Sequence, residues 1–312
     1  MMKNTNISLV FVIMLIVGLN ARTVNAQQDP MFTQYMFNTL AINPAYAGSA
    51  DIFTMMALSR HQWVGLEGAP TTQTLVLHTP LKNENIGLGL SIINDEIGPV
   101  KQTGFYGDFA YRLKVGDNSR LAFGLKFGAN YFSADLSDLA TVVEDDPANV
   151  NISGEILPNA GFGIYWSSKM FYLGASAPKL LMNEIGEKNA VSGVVGEEER
   201  HYYLIGGMVF DLNDDVKFKP SFMARAVEGA PLSVDLTASF LFREKFWVGV
   251  MYRLDDSFGA ILQFQFNEQL RAGYAYDMTT SRLGEYNGGT HEIMLSYDLR
   301  FTKGKTISPR YF

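Results

Sequence analysis

The sequence predicts an all-β protein, an antiparallel transmembrane barrel of about 14 strands with a short N-terminal helical segment. Apolar and polar residues alternate with a period of two in about fourteen runs between residues 52 and 301. Each run has roughly ten residues, the length that a tilted strand needs to cross a bilayer. The links between runs alternate between short and long. This rhythm is typical of outer-membrane barrels, whose short turns face the periplasm.

Residues 1–26 are predicted to be a signal peptide for export. Lys3 supplies a positive n-region, residues 7–19 form an apolar run, and Val24-Asn25-Ala26 has the small-x-small pattern of a cleavage site. The apolar run is shorter than the roughly 18 residues that span a bilayer. The chain contains no cysteine, so neither a lipid anchor on an N-terminal cysteine nor a disulfide is expected.

Residues 27–50 are predicted to form a periplasmic segment that precedes the barrel. Asp29 is a suitable helix N-cap with Pro30 at the first helical position, and Asn43-Pro44 is a natural stop. The helix between them would have an apolar face made of Phe32, Tyr35, Met36 and Leu40. Gln34 and Asn38 would form a polar stripe on the opposite side. The apolar face must be covered. It is either a plug in or under the barrel mouth or a docking surface for a partner.

The strand pattern separates a lipid face from a lumen face. In residues 257–267 the even positions carry Phe258, Ala260, Leu262, Phe264 and Phe266, and the odd positions include Gly259, Gln263, Gln265 and Asn267. Residues 120–131, 232–243 and 291–301 alternate in the same way. Large apolar side chains are expected to face lipid. The polar face is expected to line the lumen, and its charges include Asp235, Arg253, Arg271 and Asp277. These charges are expected to pair with one another there, because an unpaired charge in a confined space is costly.

The predicted connections set the two ends of the barrel. Short turns are expected at 82–85, 116–119, 167–169, 213–215, 243–245 and 267–269, and long links at 64–70, 94–102, 134–156, 179–199 and 278–290. Aromatic residues collect beside the short turns, as in an interfacial girdle: Phe240, Phe242, Phe246, Phe264, Phe266 and Phe301. The barrel is therefore expected at 51–301, with a short periplasmic tail at 302–312. A soluble β-sandwich is the alternative, but its strands do not require charges on one face and large aromatics on the other.

Residue types associated with catalysis or metal binding form no recognisable motif. None of the four histidines has the spacing of a metal site: His61, His78, His201 and His291. The paired glycines near residues 86 and 161 lie within strand patterns, where glycine allows a bend or close packing. The acidic runs 144–146 and 197–199 lack EF-hand spacing and are interpreted as solvated loop charge, with weak external Ca²⁺ binding as the alternative. Neither an enzyme nor a cofactor is expected. The net charge of −7 argues against a nucleic-acid partner.

Two N-terminal stretches resemble a known family. "DPMFTQYMFNTLAINPAYAGS" and "RHQWVGLEGAPTTQTLVLHTPL", within residues 29–81, closely resemble the opening of the PorP/SprF family of type IX secretion system outer-membrane proteins of the Bacteroidetes. The resemblance implies an accessory of protein secretion and gliding motility in the cell outer membrane. It also implies partners: translocon, periplasmic motor and ring components, and a secreted adhesin whose C-terminal sorting domain is recognised.

The resemblance places the family motif on particular residues of this chain: Asp29, Pro30, Gln34, Tyr35, Asn38, Asn43, Pro44, Ala45, Tyr46, Gly48, Arg60, Gln62, Trp63, Gly68, Pro70 and Thr71. The residues expected to bind a partner are Asp29, Pro30, Phe32, Gln34, Tyr35, Met36, Asn38, Asn43, Pro44, Tyr46, Arg60 and Trp63. The alternative function is an outer-membrane channel for small or hydrophobic solutes, which steady ion conductance would distinguish from a secretion accessory.

Overall fold

The computed structural model of the protein describes residues 29–136, 151–186 and 196–299. Over these ranges the chain forms a closed antiparallel barrel of fourteen strands, as predicted. The predicted signal peptide, the C-terminal tail, Phe301 and the acidic run 144–146 lie outside the described residues.

The strands follow one another around the barrel in chain order. The first seven are β1 (Phe53–His61), β2 (Thr71–Pro80), β3 (Ile86–Ile97), β4 (Val100–Lys114), β5 (Ser119–Ala134), β6 (Ile152–Ser168) and β7 (Phe171–Ala177). The others are β8 (His201–Met208, continued as Phe210–Asp211), β9 (Val216–Val227), β10 (Ser233–Phe242), β11 (Phe246–Arg253), β12 (Ser257–Gln265), β13 (Leu270–Thr279) and β14 (Thr290–Leu299). Pairing of β1 with β14 closes the barrel. A short strand pair, Glu184–Ile185 with Gly196–Glu197, lies in the link between β7 and β8.

The alternation of strand faces is confirmed. In β12 the exposed residues Phe258, Ala260, Leu262 and Phe264 alternate with the buried residues Ser257, Gly259, Ile261 and Gln263. The exposed positions face lipid, and the buried positions face the lumen. Since lumen-facing side chains are buried rather than wet, the interior of the barrel must be filled.

Aromatic rings collect on the outer face near the short turns, as the sequence predicts. The ring of Phe264 lies 6.5 Å from that of Phe246 and 5.0 Å from that of Phe266, and Phe218 and Phe240 are 4.9 Å apart. This arrangement matches an interfacial girdle at the periplasmic side of a barrel.

The predicted long link at 94–102 is wrong. β3 continues to Ile97 and β4 begins at Val100, so the connection is a tight turn at Gly98-Pro99. β4, β5 and β6 have 15, 16 and 17 residues, more than a bilayer requires. Beyond the lipid both strand faces can be polar: Asn94 bonds to Gln73 and Thr103 across the sheet, at 2.7 and 2.8 Å. Apolar and polar residues therefore do not alternate in this part of the sheet, so the sequence pattern gives no indication of a strand there.

The predicted pairing of lumen charges is confirmed in part. Arg253 donates two hydrogen bonds of 2.7 Å to the carboxylate of Asp235 on the neighbouring strand. Asp277 pairs with Arg60 at 3.3 Å. Arg271 differs from the prediction, because its guanidinium lies 5.0 Å from the ring centre of Phe37 and has no carboxylate within ion-pair distance in the described part of the chain. An aromatic face of the N-terminal segment takes the place of the expected carboxylate.

Candidate functional site

Residues 29–50, called the plug from here on, fill the lumen of the barrel. The sequence predicted either a plug in or under the barrel mouth or a docking surface at that mouth. In the structure the segment is a plug, and it runs along the inside of the wall, deeper than the mouth. Its first residue, Asp29, contacts Lys179 and His201 at the long-link end. Asp51, directly after it, contacts Arg112 and Arg120 near the short turns.

The plug contains much less helix than predicted. An α-helical turn covers only Thr39–Ile42, and a 3-10 turn covers Pro44–Tyr46. Residues 33–37 form a turn, and Asp29 does not cap a helix. The predicted stop at Asn43 is confirmed, since its backbone is extended and its side-chain oxygen accepts a 3.0 Å bond from the N–H of Ala45. Among the described residues, no helix is both long and apolar enough to cross a bilayer.

Both faces of the plug are buried. Phe32, Tyr35 and Met36 expose no more than 3% of their surface, as expected for the apolar face. Gln34 and Asn38, predicted to form a polar stripe on the other side, are fully buried as well. The side-chain oxygen of Gln34 accepts a 2.9 Å bond from Gln263 of β12. The wall surrounds the segment, so its polar residues are buried against barrel side chains.

A buried ionic network holds the first turn of the plug. The carboxylate of Glu292 accepts bonds of 2.9 Å from the backbone N–H groups of Thr33 and Gln34. Arg60 contacts Glu292 at 3.2 Å, Asp277 at 3.3 Å and the hydroxyl of Thr33 at 2.8 Å. The hydroxyl of Thr33 donates in turn to Asp277. In the predicted helix these two N–H groups would bond to the carbonyls of Asp29 and Pro30. Glu292 of the wall takes them instead, so the wall competes with the helical bonds and a turn replaces the helix.

Two glycines of the wall make room for the "NPAYAG" part of the plug. A Cβ atom on Gly87 of β3 would overlap the carbonyl oxygen of Ala47, and one on Gly124 of β5 would overlap the backbone of Ala45. Asn43 adds a bond from its side-chain N–H to the carbonyl of Ile164, at 3.1 Å. The expectation that the glycine at position 87 serves close packing is confirmed.

Tyr46 and His78 fix the lower part of the plug to the wall. The ring of Tyr46 lies 5.2 Å from the imidazole of His78 and 5.4 Å from the ring of Tyr165, edge-on in both cases. The Nδ1 atom of His78 accepts a 3.3 Å bond from the N–H of Gly48. His78 therefore holds the plug against the wall.

At the other end, Asp29 is held by basic side chains. Its carboxylate lies 2.6 Å from the ammonium of Lys179, its N–H donates to Nε2 of His201 at 3.1 Å, and its carbonyl accepts from Arg225 at 3.4 Å. Burial acts to raise the pKa of Asp29, but the charges of Lys179 and its neighbours outweigh burial and lower that pKa. Burial acts to lower the pKa of Lys179, yet Asp29 raises it. Both groups are charged at neutral pH.

Glu198 corrects the prediction of solvated acidic loops. It is 6% exposed, and its carboxylate accepts hydrogen bonds from four amides: Asn130 at 2.7 Å, Gln102 at 3.2 Å, Asn183 at 2.6 Å and Asn159 at 3.3 Å. Three of these amides lie on β4, β5 and β6, far apart in the sequence. The described end of the link between β7 and β8, around Glu198, is therefore drawn into the barrel mouth, close to Asp29. The residues next to the acidic run in the sequence give no indication that Glu198 is buried.

The predicted partner-binding residues fall into two places. Trp63 lies at the long-link end, half-buried in the loop after β1, where its backbone N–H donates to the hydroxyl of Thr290 at 3.3 Å. The motif residues Gln62, Gly68, Pro70 and Thr71 are in the same loop or at the start of β2. The others line the lumen or belong to the plug: Asp29, Pro30, Phe32, Gln34, Tyr35, Met36, Asn38, Asn43, Pro44, Tyr46 and Arg60. Most of the expected contact residues are thus covered by the wall.

No group of three or more His, Asp or Glu side chains within the described ranges is arranged to hold a metal ion. His61 and His291 face each other across β1 and β14, and His291 shares a 2.7 Å hydrogen bond with the hydroxyl of Tyr274. The charged groups inside the barrel bind the plug or one another.

Comparison with known proteins places the chain in a family. The family model described as "Type IX secretion system membrane protein PorP/SprF" matches residues 24–297, nearly the whole chain. The protein belongs to the PorP/SprF family. This PorP/SprF protein is accordingly an outer-membrane barrel of the type IX secretion system. No curated protein matches it significantly.

Among solved structures, the PorP/SprF barrel is similar to several outer-membrane proteins at low identity. The monoaromatic hydrocarbon channel CymD is 12% identical over 91% of this chain and 97% of its own, with a TM-score of 0.49. A FadL homologue of Pseudomonas aeruginosa is 14% identical over 86% and 95%, with a TM-score of 0.46. Omp33 of Acinetobacter baumannii is 10% identical over 80% and 98%, with a TM-score of 0.43.

Proposed function

We propose that this PorP/SprF protein is an accessory of the type IX secretion and gliding machinery that binds a secreted, adhesin-type client through the client's C-terminal sorting domain. Its other partners would be motor, ring and translocon components of the same machinery. The family match over residues 24–297 supports this role. The role consists of binding and includes no enzymatic step.

The observation that carries the proposal is the burial of the plug. The family motif lies largely on a segment that the wall covers, and polar groups hold much of that segment in place. Thr33, Gln34 and Asp29 bind to the wall through hydrogen bonds and ion pairs. The strands meanwhile close on one another without the plug, through pairing of β1 with β14. A segment bound in this way can leave the lumen while the barrel stays intact, and then offer Phe32, Tyr35 and Met36 to a partner.

A channel for small or hydrophobic solutes is the second candidate function. A cavity of about 50 Å³ remains beside the plug, lined by residues that include Phe32, Tyr106 and Lys126. That volume holds water molecules but not a solute the size of an aromatic hydrocarbon. The filled lumen favours partner binding over steady conduction. Purified protein in planar bilayers tests this directly, because continuous conductance would favour the channel.

Co-purification from native membranes tests the proposed function. An epitope-tagged barrel, expressed at native level, should recover a secreted cell-surface protein with a C-terminal sorting domain together with type IX components. Deletion of the gene should leave the client unexposed at the cell surface. Normal surface exposure of all such proteins in the deletion strain would refute the proposal.

A plug variant tests where the partner binds. Phe32→Ser, Tyr35→Ser and Met36→Ser in combination remove three large side chains, each worth about 1.5–3 kcal/mol when buried. Because the strands pair without them, we expect a membrane-inserted barrel that still migrates faster on gels when unheated, but no co-purified client. Normal co-purification would exclude these side chains as contacts, and loss of the folded barrel would make them part of the fold.

A further inference from the structure

A second polar site lies at the short-turn end of the barrel. A cavity of about 300 Å³ opens between the base of the plug and the wall formed by β4, β5 and β6. Its charged lining residues are four basic and two acidic side chains: Arg112, Lys114, Arg120, Lys169, Asp51 and Asp117. The cavity is thus positive within a chain whose net charge is −7.

The basic groups are only partly neutralised. The side chain of Arg112 is 3% exposed; its Nη2 atom binds Asp51, whereas its Nη1 atom has no hydrogen-bond partner among the described residues. Arg120 shares Asp51 at 3.2 Å and binds Glu84 at 3.1 Å. A buried guanidinium N–H without a partner is costly, and the planar oxygen pair of a carboxylate is its best match.

The register of the strands determines which side of the wall the cavity serves. Arg112 and Arg120 occupy lumen-facing positions, while Tyr111 and Leu113, next to Arg112 on β4, are exposed on the lipid face. The cavity therefore opens into the aqueous mouth and away from the bilayer. Short turns lie on the periplasmic side of outer-membrane barrels. A periplasmic protein can reach this cavity, whereas the phosphate of a lipid in the surrounding leaflet lies on the other side of the wall.

We propose that this cavity is a binding site for a carboxylate presented by an acidic segment of a periplasmic partner protein. The inference deepens the proposed function and rests on it, since the partner would belong to the secretion machinery. The incoming carboxylate binds Arg112, Lys114 and Lys169 beside Asp51. Asp51 joins the plug to β1 and has a left-handed backbone with φ of 57°, which is strained for a non-glycine residue. Such a site places the partner directly at the base of the plug.

A binding experiment with matched lysine variants tests the site. The probe is a fluorescent peptide with three consecutive glutamates, titrated by anisotropy against the full-length purified barrel in a zwitterionic detergent. Lys114→Gln with Lys169→Gln removes two exposed lining charges. The control, Lys82→Gln with Lys245→Gln, removes two exposed lysines from other short turns at the same end. We expect affinity to fall about tenfold in the first pair and to stay unchanged in the second.

Further probes identify the ligand chemistry. A peptide with glutamines in place of the glutamates should not bind, and inorganic phosphate at millimolar concentration should compete only weakly. Equal loss of affinity in both lysine pairs would mean that the peptide responds to the overall positive charge of this end of the barrel and not to the cavity. That result would overturn the proposal. Tighter competition by phosphate, or binding only to barrels in phosphatidylglycerol nanodiscs, would also overturn it in favour of a phosphate site.

A cellular experiment separates this inference from the proposed function. If the deletion strain fails to expose its client but both lysine pairs bind the glutamate peptide like the wild type, the cavity inference fails and the proposed function stands. If the deletion strain exposes its client normally while the lining pair alone loses peptide binding, the proposed function fails. In that case the cavity remains a carboxylate site without a role in secretion.

Discussion

At the scale of single residues, Arg60 connects the plug to the wall most directly. It contacts two carboxylates, Asp277 and Glu292, and the hydroxyl of Thr33 within one buried network. The resemblance of "RHQW" to the family motif predicted that Arg60 matters, but gave no partner for it. Its two carboxylate partners lie more than 200 residues away in the chain. Such pairs depend on how the barrel closes, which local sequence does not encode.

Loss of Arg60 should be costly because it leaves carboxylates behind. We expect Arg60→Leu to lower the free energy of unfolding by about 3–5 kcal/mol, the usual cost of breaking a buried pair by removing one partner. The change in free energy of unfolding is measured by guanidinium titration of the purified barrel, with tryptophan fluorescence as the signal. The control is Arg243→Leu, which breaks an exposed pair with Asp215 and should cost less than about 1 kcal/mol. Similar losses in both variants would contradict a buried network at Arg60.

The contact between Asp29 and Lys179 predicts a pH dependence. The pKa of Asp29 is lowered in the folded state, so its contribution to stability is complete above the unfolded-state pKa, about 3.9, and is lost as pH falls through the lowered value. The pKa of Lys179 is raised, so its contribution is complete below about pH 10.4 and is lost as pH rises through the raised value. The contact should therefore be intact from about pH 5 to 9.

Thermal unfolding of the wild type and of Asp29→Asn measures this dependence. The wild type should have the higher unfolding temperature, by a constant margin between pH 5 and 9, and the margin should shrink below pH 4. A margin that shrinks between pH 5 and 7 would mean that a group other than Asp29, such as a histidine, controls the contact.

At the scale of elements, sequence predicts the wall better than the plug. Lipid imposes one apolar strand face, so residues such as Phe258, Leu262 and Phe264 reveal strands and their register. The same rule fails from Asn94 to Gln102, because the sheet extends beyond the lipid and needs no apolar face there. For the plug, an apolar helical stripe correctly indicated burial of Phe32, Tyr35 and Met36. It could not indicate burial of Gln34 and Asn38, since a polar lumen covers every side.

Wall glycines offer a way to displace the plug without changing its own residues. Gly124→Val should push the "NPAYAG" turn away from β5, because even a Cβ atom there overlaps the backbone of Ala45. Gly107→Val on the neighbouring strand is the control, since it lies on the lipid face and the nearest atom to its Cβ is 3.9 Å away. Both barrels should fold, because neither position carries a side chain that the wall requires.

Cysteine labelling measures the displacement, since the natural chain contains no cysteine. In a Met36→Cys background, where position 36 is 2% exposed in the native protein, a maleimide should react slowly. We expect at least about a tenfold faster reaction with Gly124→Val and no change with Gly107→Val. Unchanged labelling with Gly124→Val would mean that the wall yields instead of the plug.

At the scale of the whole molecule, the plug connects the two ends of the barrel. Asp29 binds the basic groups near the cell surface, Thr33 and Gln34 bind the middle of the wall, and Asp51 binds the arginines at the periplasmic mouth. Glu198, in the link between β7 and β8, binds Asn130 and Asn183 at the same upper end. Both mouths of the barrel therefore carry groups that hold the plug, so we expect release of the plug to depend on events at both ends.

Tethering the plug tests whether its release is required for function. A Cβ atom on Gly89 of β3 would lie 3.0 Å from a terminal methyl of Leu40, so Leu40→Cys with Gly89→Cys places two thiols within reach of each other in the oxidising periplasm. The tethered barrel should fold and insert normally. Because the predicted contacts on the plug stay covered, it should not deliver its client to the surface, and reductant should restore delivery to the level of the single Leu40→Cys variant. Normal delivery by the fully oxidised barrel would make the plug a permanent part of the wall and would move partner binding to surfaces outside it, with Trp63 and the long links the first to examine.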